Sequence, residues 1–198
     1  MIIPATGIGA DAAALYSARD KRRAHRTLRV LTAHIPPLHL RTPWLDVGAG
    51  ESYMRDILKT QFNRFIEDYD VDIDREPYPC EAGKFRTITS FEVIEHLYNP
   101  LFHLDELCRV LHPQGNLIVV TPNDYSLIYK AEHLLSRKYR PHFHQFSERD
   151  LRDLFQKSNL EIVNLVKFFK SPSGTIARVS RNGFLVHARK KFDATSSS

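Results

Sequence analysis

From Trp44 to Arg189 the chain alternates short apolar runs with amphipathic helical stretches, and no unit of about 20 to 50 residues repeats. Solenoids and propellers are thereby excluded. Strands that alternate with helices imply an α/β fold, doubly wound, with a mostly parallel sheet covered on both faces. In such sheets a ligand sits beyond the carboxyl ends of the strands, where the strand order reverses. The residues that follow each strand are therefore the ones to read for chemistry, and 198 residues leave room for one such domain.

The strand-like runs are Trp44-Leu45-Asp46-Val47, a stretch from Phe65 through Ile73, Thr87 to Phe91, Asn116 to Thr121, and two closing runs near Leu160–Phe169 and Gly183–Arg189. Met54, Ile57, Leu58 and Phe62 keep the spacing of one buried helical stripe. Asn99-Pro100 supplies an N-cap and a proline at the first helical position, and Ser147-Glu148-Arg149-Asp150 reads as a capping box with Asp in place of Glu. A weakly amphipathic helix over about Gly9 to Ile35 ends where Pro36 and Pro37 disfavour helical backbone. The expected organisation is a helical segment over residues 1–36, one domain over 37–192 and a flexible tail over 193–198.

Composition adds exclusions. The chain is 42% apolar and 26% charged with a net charge of +5, which excludes a disordered tail, a fibre and a disulfide scaffold and permits an anionic partner without requiring one. Cys80 and Cys108 have no metal or redox spacing and suit a reducing compartment. No apolar run approaches the roughly 20 residues of a membrane span, and Met1-Ile2-Ile3-Pro4 lacks the basic start of a secretory signal. Arg22, Arg23, Arg26 and Arg29 would suit a transit peptide, but Asp11 and Asp20 count against one. The expectation is a cytoplasmic domain.

Four strand ends carry candidate residues. Asp46-Val47-Gly48-Ala49-Gly50-Glu51-Ser52 places two glycines between a strand and a helix, where backbone can approach a ligand, although a G-x-G is also a common tight turn. The third glycine of a dinucleotide fingerprint is missing, and Glu51 would repel a pyrophosphate, which argues for a ligand without phosphates. The acidic stretch Glu67, Asp68, Asp70, Asp72, Asp74 and Glu76 reads as a solvated strand end or as the source of one carboxylate for a ribose; Asp70 and Asp72 both lie at the right distance. In Phe91-Glu92-Val93-Ile94-Glu95-His96-Leu97, a helical turn would bring Glu92, Glu95 and His96 to one side. There they can hold a divalent cation, present His96 as a general base tuned by Glu95, or form a plain polar turn. The fourth candidate, Arg140-Pro141-His142-Phe143-His144-Gln145-Phe146, offers His142 and His144 to a substrate, with Lys130, Arg137, Lys138 and Arg140 nearby to favour an acidic one; a polar loop with a solvated charged surface reads equally well.

Taken in order, Asp46 to Gly50, Phe91 to Leu97, Arg109-Val110-Leu111-His112-Pro113-Gln114-Gly115 and Thr121-Pro122-Asn123 resemble class I S-adenosylmethionine-dependent methyltransferases, most of all the type-11 branch that includes the ubiquinone-biosynthesis O-methyltransferases. The resemblance spans about Trp44 to Arg189. It implies a Rossmann-like sheet of seven strands with the last antiparallel, and S-adenosylmethionine as cofactor. By position it places Asp46, Gly48 and Gly50 at the methionine and ribose portion, Asp72 or failing that Asp70 at the ribose hydroxyls, and Ser90, Phe91 and Glu92 beside the sulfonium. In the quinone-pathway enzymes the Glu-x-x-Glu-His pattern is associated with a divalent metal, which maps onto Glu92, Glu95 and His96, although many relatives do without one. By analogy with relatives, the N-terminal segment would fold over the cofactor, with Tyr16 and Arg19 reaching in. The chain departs from the family at Phe85-Arg86, at His112-Pro113-Gln114-Gly115, and in the short gap from Gly50 to Phe91, where the second and third strands are compressed into one region.

The function these residues imply is methyl transfer to a small-molecule acceptor, with oxygen as the expected target and His96 as the base. The main competitors are a nucleic-acid methyltransferase or binder, suggested by a pI of 9.2 and the basic cluster from Lys21 to Arg29, and an inert cofactor-binding module. Nucleic acid is not the expected partner, because Ser90-Phe91-Glu92-Val93 stands where many enzymes methylating exocyclic nitrogens carry an Asp/Asn-Pro-Pro-aromatic turn.

Overall fold

A computed structural model describes residues 18–48, 53–123, 143–170 and 181–191, with the side chains of residues 19, 20, 169, 170, 181 and 182 left aside. The chain enters on helix α1 (Ala18–His34), which buries Ala24, Thr27, Leu28 and Leu31 at helical spacing and turns arginines to solvent. The helix stops ahead of Pro36-Pro37, as the proline rule requires. Residues 9–17, assigned to the same helix from sequence, lie outside the described residues.

Strand β1 (Trp44–Val47) is followed by α2 (Tyr53–Phe62), then β2 (Ile66–Glu67), β3 (Phe85–Phe91), α3 (Pro100–Val110), β4 (Leu111–Asn123), α4 (Glu148–Lys157), β5 (Leu160–Lys170) and β6 (Arg181–Lys190). Both predicted caps form. The Asn99 side chain accepts the Phe102 backbone N–H at 3.1 Å, and Ser147 and Asp150 exchange bonds of 3.2 and 2.8 Å.

The strands form one sheet in the order β2-β1-β3-β4-β6-β5. β1 to β4 run parallel, and β6 is antiparallel to both of its neighbours, so the doubly wound sheet with a reversed last strand is as expected. β4 explains its own apolar run: Leu117 and Val119 pack against α3 and α4 on one face, Ile118 and Val120 against α1 and α2 on the other. Because β2 lies on one side of β1 and β3 on the other, the strand order reverses between β1 and β3.

One expectation is corrected. Among the described residues the sheet has six strands, and the strand expected from Phe65 to Ile73 survives only as Ile66–Glu67. Aspartate is a poor strand residue, and here Asp72 starts a turn: its carbonyl accepts the backbone N–H groups of Arg75 and Glu76 at 2.9 and 2.7 Å, and its carboxylate accepts that of Asp74 at 3.1 Å. The compression read from the short gap between Gly50 and Phe91 is thus a strand that the acidic run cannot extend.

Candidate cofactor site

The site is built from the carboxyl ends of β1 and β3, which are in register at Val47 and Ser90. Asp46, one residue earlier, is buried beneath α2 and linked to the sheet by a short relay. The Trp44 indole N–H donates to Thr89 Oγ1 at 3.0 Å, and that hydroxyl donates to Asp46 Oδ1 at 2.6 Å. Burial pushes the Asp46 carboxyl from the ordinary 3.8 up to about 7, against the opposing pull of the Thr89 hydrogen bond and of Arg55.

That shift fixes a sign. A carboxyl whose folded-state pKa is raised adds stability that is full below about pH 4 and is lost as the pH rises towards 7. Asp46→Asn removes this titration and keeps an acceptor for Thr89. The variant is expected to gain on the wild type by about 1.4 kcal/mol per pH unit across that window, approaching ~4 kcal/mol in all. Urea unfolding of both proteins at pH 4 and pH 8, without ligand, measures the difference; equal differences at the two pH values would contradict it.

At the strand end, Gly48 adopts φ +66°, and a Cβ added there would lie 2.7 Å from Val93 Cγ2. The glycine is needed both for the left-handed backbone and for the close approach of the chain that follows β3. Gly50 and Glu51 lie outside the described residues.

The two ribose candidates are both exposed and sit beyond β2. Asp72 lies 3.9 Å from Arg75 and is engaged in its own turn, while Asp68 rather than Asp70 directly follows β2 and pairs with Arg55 of α2. Asp68 is a candidate that sequence spacing passed over, because the end of β2 lies five residues earlier than Asp72.

Beyond β3, Ser90 is fully buried between Val47 and Val119, and its hydroxyl has no hydrogen-bond partner among the described residues. Phe91 is half-buried against the α1 and α2 side. Glu92 takes φ +58°, donates its backbone N–H to the Val120 carbonyl at 2.7 Å, and ion-pairs with Arg23 of α1. A non-glycine residue in this region costs about 1 kcal/mol or more, and such strain concentrates at functional sites. Glu95 is only 1% exposed and accepts the Thr121 hydroxyl at 3.0 Å, while His96 reaches solvent with its Nε2 3.9 Å from Glu95 Oε1.

Glu92, Glu95 and His96 therefore do not meet on one side. Residues 94–96 form a single 3-10 turn, Glu92 is engaged with Arg23 of α1, and Glu95 accepts from Thr121. No group of three His, Cys, Asp or Glu residues able to hold a metal occurs among the described residues. Of the substrate candidates, His142 and Tyr16 lie outside the described residues, as does the Arg19 side chain. His144 is half-buried, donates its backbone N–H to the Glu95 carbonyl at 3.1 Å and stacks its ring on Phe146. Sequence reasoning missed Arg23 and Thr121; the first stood inside a basic cluster and the second inside a quoted motif, and only the fold pairs them with Glu92 and Glu95.

A model of the methyltransferase domain matches residues 17–165. The chain belongs to the class I S-adenosylmethionine-dependent methyltransferase family. S-Adenosylmethionine is the cofactor of that family. Among related sequences, a probable S-adenosylmethionine-dependent methyltransferase of Mycolicibacterium smegmatis is 24% identical over 162 residues, and the mitochondrial ubiquinone biosynthesis O-methyltransferase of Dictyostelium discoideum is 28% identical over 120. These alignments cover 73% and 54% of this chain, which spans 62% and 37% of the lengths of the two relatives. Among solved structures, a chain from the Haloferax volcanii complex of the Trm112 methyltransferase activator with a methyltransferase superposes with a TM-score of 0.65 at 15% identity, covering 92% of this chain and 97% of that one. The [4+2]-cyclase SpnF superposes at 0.53 with 12% identity, covering 76% and 75%. Such identities establish a shared fold, and a fold that also carries a cyclase does not choose the reaction. No described helix of this methyltransferase-family chain is long and apolar enough to cross a membrane.

Proposed function

We propose that this chain binds S-adenosylmethionine at the turn that follows β1, beside the carboxyl end of β3, and directs methyl transfer to the oxygen of a small-molecule acceptor. The observation that carries the reading is Gly48: positive φ and a Val93 methyl 2.7 Å from where a Cβ would stand leave backbone alone at the strand end. At the ends of the same two strands, the buried Ser90 hydroxyl has no hydrogen-bond partner among the described residues, and the Asp46 carboxyl is buried on the other face of the sheet. Bound S-adenosylmethionine supplies a methyl group on a sulfonium whose sulfur keeps the bonding pair when the acceptor oxygen takes the methyl. The residues of this chain align and shield. Gly48 and the strained Glu92 shape the turn, Arg23 ties α1 across the strand ends by holding Glu92, and Glu95 fixes the 94–96 turn through Thr121. His96, half-exposed beside Glu95, takes the acceptor proton.

The metal implied by the quinone-pathway pattern does not fit these residues, since Glu92 is engaged with Arg23 and Glu95 faces Thr121, so no step is assigned to it. A second reading, a cofactor-binding domain that performs another reaction or none, is favoured by the likeness to SpnF. Incubation with labelled S-adenosylmethionine and fractionated lysate separates the two. Methyl transfer is expected in wild type and to fall about a hundredfold or more in His96→Ala, with S-adenosylhomocysteine affinity unchanged within about twofold. Cofactor binding without product in wild type would sink the transferase reading, and full activity in the variant would remove His96 as base.

A further inference from the structure

A cavity of about 600 Å³ lies at the other end of the sheet. Its walls include Leu40 and Pro37 ahead of β1, Phe62 and Arg64 ahead of β2, and Arg29 from the last half of α1. These residues precede the strands, whereas the cofactor site follows them, so the four residues of β1 separate the two by roughly 13 Å.

The lining combines two chemistries. Arg29 and Arg64 face the same space, no acidic residue lines it, and neither guanidinium has an acidic partner among the described residues. Two unneutralised cations over one concavity raise the local concentration of anions. Gln61 and Thr32 add polar groups, and the rest of the lining is apolar: Leu40 is buried, and the Phe62 ring packs 5.5 Å from that of the fully buried Trp44. The Thr32 hydroxyl does not compete for a ligand, because it donates to the Leu28 carbonyl one turn back at 3.0 Å. Beside the lining in sequence, Leu38 and Phe65 are 68% and 75% exposed, two large apolar side chains that the fold leaves uncovered. The volume falls within the range of about 300 to 1,000 Å³ typical of small-molecule pockets.

We propose that this cavity is a second ligand site, for a small molecule that carries a carboxylate or phosphate on an apolar body. The guanidinium groups of Arg29 and Arg64 take the anionic head by charge-assisted hydrogen bonds, and Phe62, Leu40 and Pro37 cover the body. Arg29 stands on the helix that also carries Arg23 to the cofactor site. An occupant therefore braces α1 at one end of the sheet while Glu92 holds it at the other.

The full chain is titrated calorimetrically with hexyl phosphate, with hexanol as the uncharged control. Saturable binding of hexyl phosphate is expected, weakening as salt rises, with hexanol much weaker. Arg29→Gln with Arg64→Gln is expected to lower the affinity about tenfold or more. Ala33→Trp, which fills the cavity from an exposed helix position, is expected to abolish it. Circular dichroism and urea unfolding confirm that the variants fold. Sedimentation with phosphatidylglycerol vesicles distinguishes sources: binding that hexyl phosphate displaces assigns the head to a lipid, and no sedimentation assigns it to a soluble acid. Absence of hexyl phosphate binding, or equal binding in both variants, would overturn the proposal. A parallel titration with S-adenosylhomocysteine keeps its failure separate from that of the cofactor site.

Discussion

Gly48→Val is expected to weaken S-adenosylhomocysteine binding about a hundredfold or more while the protein stays folded. The left-handed backbone at φ +66° costs a residue with a side chain about 1–2 kcal/mol. The added Cβ would meet Val93 at 2.7 Å, and relieving such crowding costs a further 1–3 kcal/mol or so. Gly48 is solvent-exposed at the mouth of the site, so the turn can shift to relieve the clash without emptying the core, and the shift falls where the cofactor is held. The double variant Gly48→Ala, Val93→Ala separates the two costs, since it removes the contact and keeps the dihedral penalty. Its affinity should lie between wild type and Gly48→Val. Calorimetry on the three proteins tests this, and wild-type affinity in Gly48→Val would show that the ligand does not use this turn.

Trp44→Ala should give the largest loss of stability of any change beside the site, about 3–5 kcal/mol in urea unfolding. Trp44 is fully buried between α1, α2 and the sheet, with its ring against Phe62, and its indole N–H starts the relay through Thr89 to Asp46. Trp44→Phe keeps much of the packing and loses the donor, which predicts a smaller loss of about 1–2 kcal/mol. If Trp44→Ala cost less than about 1 kcal/mol, the strand that presents Asp46 and Gly48 would not depend on this core.

Elements fixed by neighbours in sequence were legible. The caps at Asn99 and Ser147 form because capping acts over three residues, and the apolar run at Leu117–Val120 is a strand because both its faces are covered. Features decided across the fold were not. The spacing of Glu92, Glu95 and His96 suggests a common face only if the backbone is one continuous helical turn; the left-handed Glu92 breaks that condition, and its partner Arg23 is 69 residues away. Likewise the glycine pair announced a turn, but the reason Gly48 admits no side chain is Val93, which arrives from another strand end. The acidic run misled about length: alternation suggested a strand from Phe65 to Ile73, but pairing stops after Glu67 and Asp72 caps a turn of its own further on.

Titration of the wild-type chain with S-adenosylhomocysteine bears most directly on what this domain is for. Saturable binding at one site per chain, lost with Gly48→Val, is the predicted result. A wild-type protein that takes up no sulfur nucleoside at any ligand concentration reached would contradict the assignment of the β1–β3 crevice as its seat.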